Sequence, residues 1–333
     1  MQDFSDFFQE CDNGPRLNEL TGFFSDTAAG KSGFPSRKPA VDMRLLPNDD
    51  LLHRLIQLHS RRQGFFDQHY HASIPYRLEE ECRMAHALLR YSQMRSGDLQ
   101  FYSLGTAEGT MARVVSEMSG GKIQSLACSP NEENYKCFMA FGEPLGASFF
   151  LGPFHRLTKE HLRSTADLAH FADGFDIILE DTTFQMYSPN RLAQIEFVSQ
   201  HLKPGGILLF LEKFRAADPL DYQAREEQKN LGFKAHYFGA DEIARKTELV
   251  LNTMHECEVS LTEMAEAIYA QFDHCLVTWN SGNFYGLAAS NDGDNLGRYL
   301  AAMMQPAIPV EYVYEPRPYC DLASWMRRRR LPT

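Results

Sequence analysis

The chain contains no C-x-x-C pair, no apolar run long enough to span a bilayer, and only 33 basic residues against 44 acidic ones. The first absence speaks against zinc fingers and dithiol redox centres. Seven cysteines, an odd number scattered singly, suit reduced thiols in the cytoplasm, with neither a disulfide framework nor a bound metal expected. The second excludes a membrane-spanning helix. The acidic, aromatic opening MQDFSDFFQE predicts no signal peptide. The third leaves a formal charge of −11, which disfavours nucleic acid as the partner because phosphate binding needs positive surface. The single basic run, Arg327 to Arg330, reads as a solvated tail. Tryptophan is scarce too, with two residues, so the aromatic content rests on 24 Phe and 14 Tyr.

At 333 residues and 44% hydrophobic content, the chain can bury one large core and carry an appendage. Residues 1–62 read as a helical N-terminal cap. Apolar positions at helical spacing (Leu51, Leu52, Leu55, Ile56, Leu58) follow Asn48 or Asp49 as N-cap. The G-K-S within the loop TAAGKSGFPSRKPA lacks the upstream glycine and strand of a phosphate-binding loop. From Arg77 a helix precedes a series in which apolar strands alternate with helices: LQFYSLG, KIQSLACS, GASFFLG, FDIILED and GGILLFLEKF. That alternation predicts a doubly wound, mostly parallel α/β sheet over residues 63–290. HCLVTWN and NFYGLAAS are expected to add a late pair of strands, one of them antiparallel. Residues 291–333 read as a short helix and tail. His69-x-His71 reads as two histidines on one strand face, with a surface or pocket role in the absence of further metal ligands.

In open α/β sheets, ligands sit beyond the carboxyl ends of the strands at the switch point. Leu104-Gly105-Thr106-Ala107-Glu108-Gly109 occupies that place. Its glycines let backbone approach a ligand closely and leave free N–H groups at the next helix start.

Together with Ile74-Pro75-Tyr76, Thr183-Phe-Gln-Met-Tyr-Ser-Pro189, Leu202-Lys-Pro-Gly-Gly206, Leu211-Glu-Lys-Phe214, Ile243 to Met254 and Asn283-Phe-Tyr-Gly286, this turn resembles the class I S-adenosylmethionine-dependent methyltransferases. The pattern runs in order from about Phe65 to Ser290 and is most similar to the carboxy-S-adenosylmethionine synthase branch. The resemblance implies a Rossmann-like fold and S-adenosylmethionine as cosubstrate or substrate. It puts Tyr76 against the sulfonium and Gly105, Thr106, Ala107 and Gly109 along the amino-acid portion. Ala127 and Cys128 fall where the ribose is held, with Ser129 and Asn131 beside them. Pro153 and Phe154 fall where adenine lies, and Glu180 or Asp181 beneath the methionine part. Three positions depart from the pattern. Ser103 and Ala127 replace aspartates, the second of which takes the ribose diol; a charge-assisted hydrogen bond of about 1.5–3 kcal/mol then falls to another group, such as Asn131 or Glu132. Thr247 replaces the arginine that reads a carboxylate on the ligand, and threonine has no charged fork, although Lys246 stands next to it. Plain S-adenosylmethionine is the expected ligand.

A sulfonium activates its methyl, C5′ and Cγ carbons, and positioning of the nucleophile, worth about 7–11 kcal/mol, selects among them. Methyl transfer to a small-molecule acceptor is what the resemblance implies first, with Tyr76, Asp181 and Tyr187 as catalytic or positioning residues and His155 as a further base. An acceptor-free route, as in an azetidine-2-carboxylate synthase, folds the ligand's own neutral amine onto Cγ and releases methylthioadenosine. It calls for a dry aromatic pocket, which Tyr76, Phe184, Tyr187, Phe214, Tyr237 and Phe238 under an N-terminal lid would supply. A binding module without turnover is the third class. Neither membrane nor nucleic acid is expected as a partner, and the terminal extensions leave a homodimer open.

Overall fold

The computed structural model describes residues 4–315, 319–324 and 326, so the basic run Arg327 to Arg330 lies outside the described residues. Five parallel strands form the centre of the sheet: β1 (Leu99–Leu104), β2 (Ile123–Ser129), β3 (Ala147–Leu151), β4 (Phe175–Asp181) and β5 (Leu202–Lys213). Then come β6 (His274–Ser281), β7 (Phe284–Ser290) and the two-residue β8 (Cys320–Asp321), giving the order β3-β2-β1-β4-β5-β7-β6-β8. Strand β7 runs antiparallel to both β5 and β6, the late antiparallel strand expected from the pattern. Central strands buried on both faces read as continuous apolar runs, which is why FDIILED and ILLFLEK stand out in the sequence.

Before β1 come α1 (Ser5–Asp12), α2 (Thr21–Ala28), α3 (Asp50–Arg62), α4 (Phe65–His71) and α5 (Arg77–Gln93). The sheet connections carry α6 (Thr110–Met118), α7 (Glu132–Met139), α8 (Lys159–Ser164) and α9 (Arg191–Ser199). Between β5 and β6 lie α10 (Pro219–Gln228), α11 (Ala240–Lys246), α12 (Asn252–Glu256) and α13 (Leu261–Tyr269), and α14 (Gly293–Ala301) follows β7. Of the two N-cap options for α3, Asp49 serves: its carboxylate accepts from the Leu52 amide at 2.9 Å.

Alternate residues of each strand feed two cores. Tyr102, Leu104, Ile178, Leu208 and Phe210 pack with α1, α2, α9 and α13, while Phe101, Ile177, Leu179, Ile207 and Leu209 pack with α3, α5, α6 and α14. The N-terminal helices therefore divide. Phe7, Cys11 and Phe24 join the first core, and Leu52 and Leu55 join the second.

Two local readings change. β5 begins at Leu202, ahead of the GGILLFLEKF run in which the sequence places the strand; the chain irregularity there is a register shift against β4, with Gly205 at φ +71°. His69 and His71 sit on α4, not on a strand, because Gly64 and Glu108 start a helix at Phe65.

Candidate functional site

Three residues of the β1 tip adopt left-handed backbone: Gly105 (φ +71°), Ala107 (φ +44°) and Gly109 (φ +69°). A Cβ at Gly105 would lie 1.7 Å from Thr183 Oγ1, so only glycine lets the β1 tip and the turn after β4 close on each other. At Gly109 a Cβ would meet Ala127 Cβ at 2.6 Å. Glu108 turns away from the tip and accepts the amides of Phe66 (3.1 Å) and Asp67 (3.2 Å), which pins the first turn of α4 beside the strand end. Gly105, Thr106 and Ala107 form one wall of a cavity at the carboxyl ends of the strands.

On the β4 side, Asp181 lies within hydrogen-bond reach of two partners, the half-buried Tyr70 and the enclosed Arg77. Tyr70 donates its hydroxyl to Asp181 Oδ1 at 2.5 Å, and Arg77 Nη2 donates to Oδ2. Arg77 also reaches Glu81 Oε2 at 3.1 Å, and Glu81 meets His59 Nε2 (2.5 Å) and His71 Nε2 (3.1 Å). Burial works against the Glu81 charge, but His71, Arg77 and His59 together hold its carboxyl well below the usual range. The Arg77 guanidinium is fully enclosed and lies 5.4 Å from the Tyr70 ring centroid. This network holds the Tyr70 ring at the cavity.

On the β2 side the cavity is lined by Ser129, Asn134 and Asp67, and beyond them by Arg16, Phe24 and Tyr187. Ser129 is engaged locally, accepting from the Asn131 amide at 3.2 Å and Asn134 Nδ2 at 3.0 Å. Two buried acceptors have no partner: Asp67 Oδ2 and Asn134 Oδ1. Burial and the nearby Glu108 push the Asp67 carboxyl well above its usual range. Arg16 is buried, stacks 4.5 Å over the Phe24 ring, and makes no ion pair among the described residues.

Four lysines reach the remaining wall: Lys213, Lys229, Lys234 and Lys246. Lys234 is 1% exposed, and burial together with Lys229 brings its ammonium down to about 7. The unfolded chain therefore holds a proton there that the folded chain sheds between about pH 7 and its ordinary 10.5, so this lysine costs stability fully below pH 7 and progressively less as pH rises. Lys234→Met is expected to be more stable than wild type at pH 7. The gap should narrow by about 2 kcal/mol by pH 9 in urea unfolding, and a pH-independent gap would contradict the assignment.

Of the residues singled out in the sequence, Gly105, Thr106, Ala107, Ser129, Asp181 and Tyr187 line this cavity. The others do not. Tyr76 caps α5 with left-handed backbone (φ +58°) and packs on Phe233 and Tyr312, outside the cavity; the tyrosine that faces inward is Tyr70. Glu180 is fully buried and accepts the Thr183 amide at 2.6 Å and the Phe184 amide at 3.0 Å, closing the turn after β4. Cys128 Sγ faces the Gly152 carbonyl at 3.2 Å, Pro153 starts a short 3-10 turn, and Phe154 is locked among Phe7, Phe184 and Tyr187. Asn131 caps α7 through the Glu133 amide and donates from Nδ2 to the Phe24 carbonyl at 3.0 Å, tying α2 to the β2 end; Glu132 is exposed. Ala127 packs in the core under Gly109, so the residue that the strand presents to the cavity is Ser129 two positions on. His155 is bound to Asp12 at 2.8 Å. The Ser103 hydroxyl is buried without a partner. Thr247 bonds the Ile243 carbonyl of its own helix at 2.9 Å, whereas Lys246 lines the cavity. Lys213 lies in the Leu211-Glu-Lys-Phe214 motif, but Asp67, Tyr70, Arg16, Lys229 and Lys234 carried no local signal, because long loops and turns bring them in from separate segments.

A strand order of 3-2-1-4-5-7-6 with strand seven antiparallel and a glycine turn at the tip of strand one is a Rossmann-like α/β arrangement, the fold expected from the sequence. No family model matches the chain. Among curated proteins it is similar to a carboxy-S-adenosyl-L-methionine synthase of Hamiltonella defensa, 27% identical over 129 residues. That stretch is 37% of this chain and 49% of the relative, so the match spans about half the length of that protein. Among solved structures it is similar to the plantazolicin methyltransferase BpumL, crystallised with a monoazolic desmethylPZN analog and SAH (13% identity, TM-score 0.46, 73% of this chain and 100% of that one). It is also similar to a putative O-methyltransferase from Klebsiella pneumoniae (15%, 0.40, 74% and 93%). The cyclopropane synthase MmaA2 from Mycobacterium tuberculosis is a further neighbour (11%, 0.41, 73% and 79%).

Among the described residues, no helix is long and apolar enough to cross a membrane, and no group of three or more His, Cys, Asp or Glu is placed to hold a metal ion.

Proposed function

We propose that this protein binds S-adenosylmethionine at the β1 tip and transfers its methyl group to a small-molecule acceptor. The observation that carries this reading is the cradle itself: Gly105 to Ala107 border a cavity at the switch point, at a position where a Cβ would block closure. The unpaired acceptors Asp67 Oδ2 and Asn134 Oδ1 suit a ribose diol, which takes the place of the acid absent at Ala127. Bound ligand supplies a methyl group activated by positive sulfur. Phe66, Tyr70 and Tyr187 line the cavity and are the aromatic rings available to that cation, a cation–π contact being worth about 2 kcal/mol when desolvated. Asp181, tied to Arg77 and Tyr70, orients the Tyr70 ring and is a positioning residue rather than the base. Arg16, Phe23 and Phe24, from the turn before α2 and from α2 itself, serve as the lid.

The acceptor-free reading draws on the same lid. Phe23, Phe24 and Phe66 give the cavity an apolar side that excludes water, and a dry site favours the uncharged amine that cyclisation needs. Mass spectrometry separates the two. Incubation with S-adenosylmethionine alone is expected to leave it intact, with adenosylhomocysteine formed only when an acceptor is added. Methylthioadenosine without acceptor would replace methyl transfer by lysis.

A further inference from the structure

The four cavity lysines do not have four partners. Lys213 Nζ meets Glu258 Oε1 at 2.9 Å, Glu226 Oε2 at 3.1 Å and the Tyr222 hydroxyl at 2.6 Å. Lys229 pairs with the same Glu226. Two carboxylates thus answer two lysines. Lys246 Nζ donates instead to two neutral groups, Ser73 Oγ at 2.7 Å and His69 Nε2 at 2.5 Å. His69 is held as an acceptor at Nε2 because its Nδ1 donates to the Gly33 carbonyl at 2.5 Å. The Lys234 side chain makes no hydrogen bond or ion pair among the described residues, although it is buried. Of the other cavity carboxylates, Asp181 and Glu81 are engaged by Arg77, and Asp67 makes no ion pair with the lysines among the described residues.

Placement in the fold separates this surplus from the nucleoside end. Lys213 ends β5, and Lys229, Lys234 and Lys246 come from the segment between β5 and β6, whereas Ser129 ends β2 and Asn134 lies in the helix that follows it. In the order β2-β1-β4-β5 these are opposite sides of the glycine turn. Beside the lysines the wall is apolar, with Val250, Leu251, Met254 and Phe284.

We infer that Lys234 and Lys246 form a carboxylate subsite on the β5 side of the cavity, which takes the acid group of an organic-acid cosubstrate with a compact apolar body. The two ammonium groups lack the anion that would stabilise them, and an unpaired buried charge is costly until one arrives. One carboxylate bridging both would gain two charge-assisted hydrogen bonds. The assignment rests on the methyl-transfer reading above for the word cosubstrate; the subsite itself does not. Burial and Lys229 hold the proton affinities of both Lys234 and Lys246 down; Lys213 adds to this at Lys234 and Lys234 itself at Lys246, while Glu226 raises that of Lys234, so anion binding near pH 7.5 should draw protons onto the lysines.

Benzoate and its neutral counterpart benzamide are suitable probes, titrated calorimetrically into the full chain, alone and saturated with S-adenosylhomocysteine. Benzoate is expected to bind at least tenfold more tightly than benzamide in both states. Its apparent heat should differ between HEPES and Tris because protons are taken up. Lys234→Met and Lys246→Met should each weaken benzoate at least tenfold; both remove an uncompensated charge, and a cooperative thermal transition confirms their fold. Equal affinity for the two probes, no benzoate heat, or unchanged affinity in both variants overturns the subsite. Benzoate binding that vanishes once S-adenosylhomocysteine is bound assigns the lysines to that ligand's own carboxylate and overturns the cosubstrate. If S-adenosylhomocysteine gives no heat, the methyl-transfer reading fails, and the titration of the free protein still decides the subsite.

Discussion

Arg77→Met is expected to destabilise the protein by about 3–5 kcal/mol, a fall in Tm of roughly 5–10 °C. The side chain is fully enclosed and its Nη2 meets both Asp181 and Glu81, from the strand end and the first turns of its own helix. Methionine matches much of the volume but leaves two buried carboxylates short of a cation. Glu81 retains His59 and His71, so the larger loss falls on Asp181, which keeps only the Tyr70 hydroxyl. Arg77→Lys should recover only part of the stability, since the shorter lysine stem does not carry its ammonium to the point between the two carboxylates that Nη2 occupies. Thermal unfolding of the three proteins checks this; Tm values within 2 °C of one another would show that the network contributes little.

Gly105→Ala is expected to have the largest effect on ligand. Its Cβ would fall 1.7 Å from Thr183 Oγ1 and 2.7 Å from Thr183 Cβ, and the backbone at φ +71° already disfavours a side chain. Thr183 is short and β-branched and its hydroxyl reaches the Asp181 carbonyl at 3.2 Å, so it cannot swing aside cheaply. The tip of β1 and the turn after β4 must part, at a cost of about 2–4 kcal/mol in stability. Because that movement displaces the backbone bordering the cavity, affinity for S-adenosylhomocysteine should fall at least tenfold. Unchanged affinity in a folded variant would take the ligand away from this turn.

The strand series was legible because parallel strands buried on both faces are written as unbroken apolar runs, and the glycine turn because its left-handed positions demand glycine at Gly105 and Gly109. Less legible was anything set by how a side chain is aimed. Tyr76 and Tyr70 are six residues apart, and only the left-handed cap before α5 turns the first outward while the Asp181 hydrogen bond draws the second inward. At the end of α11 the contrast is sharper still. Thr247 begins a π-helical turn and satisfies its hydroxyl on Ile243, while its neighbour Lys246 faces the cavity. No periodic pattern announces Lys234 or Asp67, because each gains its meaning from groups many residues away. Ala127 marks a related limit. Its substitution for an acid is visible in sequence, but that its side chain packs under Gly109 is not.

Binding of S-adenosylmethionine in the cavity at the β1 tip underlies both methyl transfer and its acceptor-free alternative. Calorimetric titration of the folded wild-type chain with S-adenosylhomocysteine is the direct measurement. A saturable heat at one ligand per chain, weakened at least tenfold by Gly105→Ala, is the predicted result. A folded protein that gives no heat, or one whose binding is indifferent to Gly105→Ala, contradicts it.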